Sequence, residues 1–125
     1  MDENEISNKA IGIAIDIHRA LGPGLLESAY QACFCREISL NKIPFRREVA
    51  IPVEYKGVKI DCAYRADIIV DKKVILEIKA VEKLLPIHQA QLLTYLRLTE
   101  LKLGLLINFN VPVLKDGIRR VANKL

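Results

Sequence analysis

Residues 67–79 read Asp-Ile-Ile-Val-Asp-Lys-Lys-Val-Ile-Leu-Glu-Ile-Lys. Two apolar runs rich in β-branched residues, 68–70 and 74–78, flank the polar triplet 71–73. Such runs on either side of a short polar segment are typical of a β-hairpin. The stretch therefore predicts two antiparallel strands at the centre of the fold.

The register of this hairpin decides which charged residues are neighbours. With the triplet as the loop, three cross-strand pairs follow: Val70 with Val74, Asp67 with Glu77, and Arg65 with Lys79. Opposed residues lie on one face of a sheet, as do alternate residues along a strand. We therefore expect the two carboxylates and the Lys79 amine to share one patch.

Two carboxylates in one patch need compensation. At about 5 Å they repel each other by roughly 1–3 kcal/mol, and a divalent cation between them converts that repulsion into binding. Oxygen ligands favour Mg²⁺ or Mn²⁺ over Zn²⁺. A solvent-facing hairpin with a cross-strand ion pair explains the same residues without any metal. The stretch alone leaves both interpretations open.

Length and composition predict a single globular domain spanning residues 1–125. Hydrophobic residues make up 51% of the chain, and its longest apolar runs are far shorter than the roughly 20 residues that cross a bilayer. The acidic start lacks the pattern of a signal peptide, so we expect a cytoplasmic protein. The net charge of +4 is compatible with a polyanionic partner. Three cysteines without metal-ligand spacing are expected to be reduced structural thiols.

Hydrophobic periodicity gives the order of elements. The predicted helices span 6–21, capped by Asn4 or Ser7, then 25–40 and 87–98, with Pro86 opening the third. The predicted strands span 45–55, 58–70, 74–81, 103–109 and 118–121, with a turn at 55–57. The order indicates an α+β or α/β fold, in which a mixed sheet of about four to five strands is flanked by helices.

Two short motifs lie on the predicted helices. Gly24-x-x-Glu27-x-x-Tyr30 begins the second helix, where a carboxylate is favoured by the helix dipole and a tyrosine can simply pack. Gln91 and Tyr95, four residues apart, share a face of the third helix. A polar face on a solvent-exposed helix is the alternative explanation of that second pair.

With these motifs, the chain resembles the GxxExxY family of the PD-(D/E)XK nuclease superfamily, in its RecB-like branch. The resemblance extends from the first helix to Arg120 and implies a restriction-endonuclease-like core. The residues that carry it are an acid on an early helix, an acid on one strand, Glu-x-Lys on the next and a Gln-x-x-x-Tyr helix: Glu27, Asp67, Glu77-Ile78-Lys79, and Gln91 with Tyr95.

The resemblance implies a nuclease that uses Mg²⁺ or Mn²⁺ to hydrolyse phosphodiester bonds, with DNA as the expected substrate. In that case Asp67, Glu77 and the Ile78 carbonyl hold the metal, and Glu27 reaches a second ion or its water. Lys79 orients the attacking water or offsets charge on the phosphate.

Other residues are expected to act on the substrate. Gln91 is included in the catalytic set, where it positions the substrate or Lys79, and Tyr30, Arg65 and Tyr95 are expected to contact the substrate. Arg65 has an alternative role, the neutralisation of Glu77. His18 is better explained as a capping or packing residue, and His88 as a surface residue.

A different function class fits the same scaffold. A nuclease fold that has lost catalysis would bind nucleic acid or a protein partner without cleaving. Small nuclease cores also work as homodimers, which is a further expectation here. The sequence leaves the choice between DNA and RNA, and between ends and internal sites, open.

Overall fold

The structure is a computed structural model that describes residues 1–62 and 64–125. It contains three α-helices: α1 (Glu3–Leu21), α2 (Glu27–Leu40) and α3 (Pro86–Thr99). Its strands are β1 (Phe45–Ala50), β2 (Val53–Tyr55), β3 (Val58–Ile60), β4 (Arg65–Val70), β5 (Val74–Lys79), β6 (Leu103–Asn108) and β7 (Ile118–Ala122). A short 3₁₀ helix, Leu114–Gly117, precedes β7.

The central sheet has five strands in the order β1-β4-β5-β6-β7. The β5 and β6 strands are parallel, and every other neighbouring pair is antiparallel. The chain passes from β5 to β6 through α3, and this helix is the crossover connection that a parallel pair of strands requires. The predicted α+β fold with a mixed sheet flanked by helices is confirmed.

Two apolar cores lie on opposite faces of this sheet. One packs α1 and α2 against alternate sheet residues, and the other packs α3 against the remaining ones. The β6 strand supplies Leu105 to the first core and Leu106 to the second. A strand with both faces covered is apolar throughout, which explains the unbroken apolar run of β6.

The first helix begins earlier than expected. The Asp2 carboxylate accepts a hydrogen bond from the Glu5 amide at 2.9 Å and caps α1, whereas Ser7 is buried inside the helix. The prediction of Asn4 or Ser7 as the cap is therefore wrong. An acid in front of the first turn also interacts favourably with the helix dipole, which makes Asp2 the better cap.

The first two predicted strands, 45–55 and 58–70, are each divided into two shorter strands. The β1 and β2 strands are separate on either side of 51–52, and Pro52 cannot donate a backbone hydrogen bond to a ladder. The β2 and β3 strands pair only with each other, in a second, two-stranded sheet. The turn between them is as predicted, with positive φ at Lys56 (49°) and Gly57 (83°).

None of the three helices, over the residues described, has the length and apolar character needed to cross a bilayer. The three cysteines are free thiols: Cys35 is buried, Cys33 is half-buried and Cys62 is exposed. Burial raises the pKa of the Cys35 thiol.

Candidate active site

The regular pairing of the central hairpin stops at Asp67. Val70 pairs with Val74 as predicted, but the β4–β5 pairing ends at Ile68 and Leu76. On the other side, β1 pairs with residues on both sides of Asp67 but not with Asp67 itself, and Glu48 there has a positive φ of 52°. Asp67 therefore lies in an opening of the sheet.

Side chains replace the missing ladder bonds at this opening. The Asp67 amide donates to Glu77 Oε2 at 3.0 Å, and the Asp67 carbonyl accepts from Gln31 Nε2 at 3.1 Å. In return, Asp67 Oδ2 accepts from the Ile78 amide at 2.8 Å. Because buried backbone groups must be paired, these bonds keep the opening stable and bring the two acids together.

The alternation of side chains also breaks at Asp67. Ala66 packs in the core beneath α3, while Ile68, two residues later, packs in the core beneath α1 and α2. In a regular strand these two residues would share a face. The break is consistent with the Asp67 carboxylate pointing towards β5, where it reaches the Ile78 amide, instead of standing on one face.

Burial and mutual proximity keep the acid pair partly protonated. Glu77 is only 5% exposed, and burial followed by the neighbouring Asp67 carboxylate raises the pKa of Glu77 from 4.5 to about 8. Burial also raises the pKa of Asp67, opposed by its bond from the Ile78 amide. The positive charge of Lys79 acts on both acids in the opposite direction, lowering each pKa.

Lys79 is half-buried and acts on the pair without touching it. Among the described residues, the only ion pair within 4.0 Å joins Lys73 to Asp71. Arg65 pairs with Ala50 of β1, and the β4–β5 pairing ends before it reaches Lys79. The predicted ladder pairs Asp67–Glu77 and Arg65–Lys79 are therefore both wrong, because the sheet opens at Asp67. Within the described part of the chain, only side-chain hydrogen bonds connect Asp67 to β5.

The Ile78 carbonyl faces the same side of β5 as Asp67. The neighbouring Lys79 carbonyl accepts a bond from the Phe109 amide next to β6, while the Ile78 amide donates towards β4. Backbone groups of successive strand residues point to opposite sides. The Ile78 carbonyl oxygen is therefore directed towards the opening, beside the two carboxylates.

Glu27 lies at the end of β5. Its Oε1 accepts a bond from the amide of Ala80, the residue after Lys79, at 3.3 Å. The Tyr30 hydroxyl donates to the Gly22 carbonyl at 2.5 Å and accepts from the Leu25 amide at 3.2 Å. Tyr30 thereby holds together the turn that leads to Glu27.

The position of Tyr30 corrects its predicted role. Its side chain is fully buried, with its ring stacked on Phe109 at a centroid distance of 4.3 Å. A residue with no exposed surface cannot contact a substrate without a rearrangement of the core. Its contacts instead explain the Gly24-x-x-Glu27-x-x-Tyr30 spacing, since Gly24 has a positive φ of 103°.

Tyr95, on α3, lies close to the acid pair, since the charges of both acids act on its hydroxyl. Tyr95 is buried, and desolvation, followed by the Glu77 carboxylate, raises the pKa of its hydroxyl. Its ring lies 6.3 Å from that of Tyr64, and both residues line a cavity of about 330 Å³ together with Gln91. The Gln91 side chain makes no hydrogen bond to the described residues and is available to a ligand.

The donor set at the opening fits a hard divalent cation. Asp67 and Glu77 offer carboxylate oxygens, and Ile78 offers a carbonyl oxygen. No three His, Cys, Asp or Glu side chains among the described residues are grouped closely enough to hold a metal by themselves. Mg²⁺ usually keeps several waters and needs only one or two carboxylates, so two acids and a carbonyl suit this ion.

Sequence reasoning missed the residues that build the opening. Gln31 is buried and donates to Glu48 Oε1 at 2.9 Å as well as to the Asp67 carbonyl. Asn108, also buried, binds the amide and carbonyl of Val81 at 3.0 and 2.9 Å and so orders the chain after β5. One signal was available, since Gln31 follows Glu27 by four residues on one helix face.

The two histidines have structural partners. His18 Nε2 is 2.8 Å from the Val111 carbonyl, and His88 Nδ1 accepts a bond from the Leu85 amide at the start of α3. The expectation of a capping or packing role for His18 agrees with its contact. His88, expected to be a surface residue, is half-buried and caps the start of α3.

A family model described as the PD-(D/E)XK nuclease superfamily matches residues 4–121. Searches of curated proteins and of solved structures returned no match. The matched range includes the whole opening of the sheet, Glu27 and the face of α3 that bears Gln91 and Tyr95.

Proposed function

Because the chain belongs to the PD-(D/E)XK nuclease superfamily, we propose that it is a nuclease that hydrolyses phosphodiester bonds of DNA with Mg²⁺ or Mn²⁺. The observation that carries this proposal is the reciprocal bonding of Asp67 and Glu77 at the opening of the sheet. A buried Glu77 beside a half-buried Asp67, both with raised pKa values, is a costly arrangement for a fold without a bound cation. Active sites are where such arrangements concentrate.

We assign the metal to Asp67, Glu77 and the Ile78 carbonyl, and we assign Glu27, on α2, to a second ion or to a metal-bound water. When bound, such an ion supplies positive charge to the phosphate and makes a water more acidic. The opening prepares the protein side of this chemistry, because the backbone bonds to Asp67 Oδ2 and Glu77 Oε2 fix the orientation of both carboxylates.

Lys79 is the proposed catalytic cation. It is near enough to influence both carboxylates and is free of a short ion pair among the described residues. Its amine can therefore orient the attacking water or offset charge that develops on the phosphate. Gln91 and Tyr95 position the substrate, and Arg65, which is exposed at the start of β4, binds its phosphates.

We also assign the chain to the GxxExxY family and the RecB-like branch, as a single domain over residues 1–125. The support is the Glu27 contact at the end of β5 and the pair Gln91 and Tyr95 facing the cavity. A cytoplasmic location is in keeping with the three free thiols.

The test is cleavage of linear, circular and single-stranded DNA and of RNA, with Mg²⁺, Mn²⁺ or EDTA. The parent should cleave only with metal, and Asp67→Ala and Lys79→Ala should abolish cleavage while retaining the folded circular dichroism spectrum. Lys83→Ala, which removes an exposed lysine just beyond β5, is the matched control. Salt-sensitive binding without metal dependence and without cleavage would identify a catalytically inactive binding module instead.

A further inference from the structure

The β2–β3 hairpin is exposed along its whole length. Five of its six strand residues are exposed and Val53 is half-buried. Within residues 1–62 and 64–125, its two strands pair only with each other. A two-stranded hairpin is at best marginally stable in water, so an ordered one with an exposed surface calls for an explanation.

One face of the hairpin is apolar. Val53 pairs with Ile60 and Tyr55 pairs with Val58, and these four side chains share a face because opposed residues point the same way. Tyr55 is 66% exposed and Val58 is 59% exposed. Contiguous exposed apolar surface on a small domain marks a binding surface.

This face continues into the candidate active site. Val53, at the base of the hairpin, lines the same cavity as Tyr64 and Tyr95. Tyr95 in turn is close enough to Glu77 and Asp67 for their charges to act on its hydroxyl. We call the continuous surface from Tyr55 through Val53 and Tyr64 to Tyr95 the aromatic strip.

The charge of the hairpin indicates which part of a nucleic acid this strip contacts. Lys56 and Lys59 are balanced by Glu54 and Asp61, so residues 53–62 carry no net charge. Tracking phosphates, in a duplex or in a single strand, needs an excess of cations, so this hairpin contacts another part of the nucleic acid. Aromatic rings instead stack on base faces, which are accessible only where bases are unpaired.

We propose that the aromatic strip binds a single-stranded segment of nucleic acid, with bases stacked on Tyr55 and Tyr64, and leads that strand to the acid pair. This inference rests on the proposed nuclease function and adds a substrate class to it. The occupant is an unpaired strand, not a duplex and not a second protein. The cavity of about 330 Å³ is at the small end of the range for ligand pockets, which suits one base.

The test is fluorescence anisotropy in EDTA, where no cleavage occurs, with labelled single-stranded DNA, single-stranded RNA and a blunt duplex of the same sequence. The parent should bind a single strand at least about tenfold more tightly than the duplex. Tyr55→Ala should weaken single-strand binding by roughly tenfold, while Tyr55→Phe, which keeps the ring, should bind as the parent does. Val113→Ala removes another exposed apolar side chain, outside the strip, and should have no effect.

Several outcomes would overturn the inference. Duplex binding as tight as single-strand binding would do so, as would equal affinities for the parent and Tyr55→Ala. A dimer seen in sedimentation for the parent and lost in Tyr55→Ala would make this face a protein interface. Cleavage with Mn²⁺ is measured separately: a parent that binds single strands but cleaves nothing contradicts the nuclease function and leaves the strip as a binding surface.

Discussion

Asp67 and Glu77 are tied to each other through the backbone of the opposite strand. The Glu77 carboxyl accepts a hydrogen bond from the Asp67 amide. The Asp67 carboxyl accepts a hydrogen bond from the amide of Ile78, the residue after Glu77. This exchange replaces regular ladder bonds and holds the half-buried Asp67 carboxyl close to the buried Glu77 carboxyl. In the absence of a metal ion, a proton on Glu77 relieves the repulsion between them.

The raised pKa of Glu77 makes the stability of the metal-free fold depend on pH. Between pH 4.5 and about 8 the native state binds a proton that the unfolded state has lost, so stability falls as pH rises. The contribution is fully present below pH 4.5 and is lost above about pH 8, at roughly 1.4 kcal/mol per pH unit between them. Glu77→Gln should remove this slope and raise the unfolding free energy at pH 8.

Urea unfolding in EDTA at several values between pH 5 and pH 8 measures this effect. Glu54→Gln, which changes an exposed glutamate on the hairpin, should keep the slope of the parent. An identical slope in the parent and Glu77→Gln would show that Glu77 does not hold the proton.

Metal affinity should depend on pH through the same proton. A cation binds the ionised pair, so the proton on Glu77 must leave first. Since the pKa is about 8, affinity for Mn²⁺ should fall about tenfold per pH unit below that value and level off above it. Titration calorimetry in two buffers of different ionisation enthalpy measures both the affinity and the proton released. Affinity that stays constant from pH 6 to pH 8 would contradict the assignment of the metal to this pair.

The sequence was sufficient to predict the hairpin and its acids, because period-2 alternation and a polar triplet determine local register. Val70 and Val74 do pair as counted. The opening at Asp67 was not predictable in this way, since it depends on Glu48 and Gln31, which are distant in sequence. Counting from the loop assumed a regular ladder and therefore paired Arg65 with Lys79 incorrectly.

The role of Tyr30 was also beyond local reasoning. A tyrosine three residues after Glu27 shares its helix face, which supports either packing or substrate contact. Packing is the role found, because the ring of Phe109, some eighty positions later in the chain, stacks on Tyr30 and buries it. Burial by a distant segment is a tertiary effect that spacing within a helix cannot show.

The Tyr30 hydroxyl should contribute to stability and not to substrate binding. Tyr30→Phe keeps the stacked ring but leaves the Gly22 carbonyl and the Leu25 amide without their partner. The expected loss is about 1–3 kcal/mol of unfolding free energy, with unchanged affinity for nucleic acid in EDTA. Urea unfolding and anisotropy measure the two quantities. Tyr55→Phe removes an exposed hydroxyl and should change neither the unfolding free energy nor the affinity. If Tyr30→Phe were as stable as the parent but bound nucleic acid more weakly, Tyr30 would be a substrate contact after all.

Two glycine substitutions should have opposite effects on stability. Gly117 lies in the 3₁₀ helix before β7, where an added Cβ would overlap the Asn108 carbonyl oxygen. Backbone atoms cannot move aside cheaply, and Asn108 also holds Val81 after β5, so Gly117→Ala should lower the unfolding free energy by about 2 kcal/mol or more. Gly12 lies within α1 with open space around it, and Gly12→Ala should raise the unfolding free energy by about 0.5–1 kcal/mol.

Urea unfolding of both variants beside the parent tests the packing around Asn108 against an internal control. The helix substitution measures the general effect of replacing glycine with alanine, so the difference between the variants reports the clash alone. If Gly117→Ala were as stable as the parent, the chain around Asn108 would have to be looser than the structure describes. In that case Asn108 would not fix the segment after β5, which contains Ala80, the residue whose amide donates a hydrogen bond to Glu27.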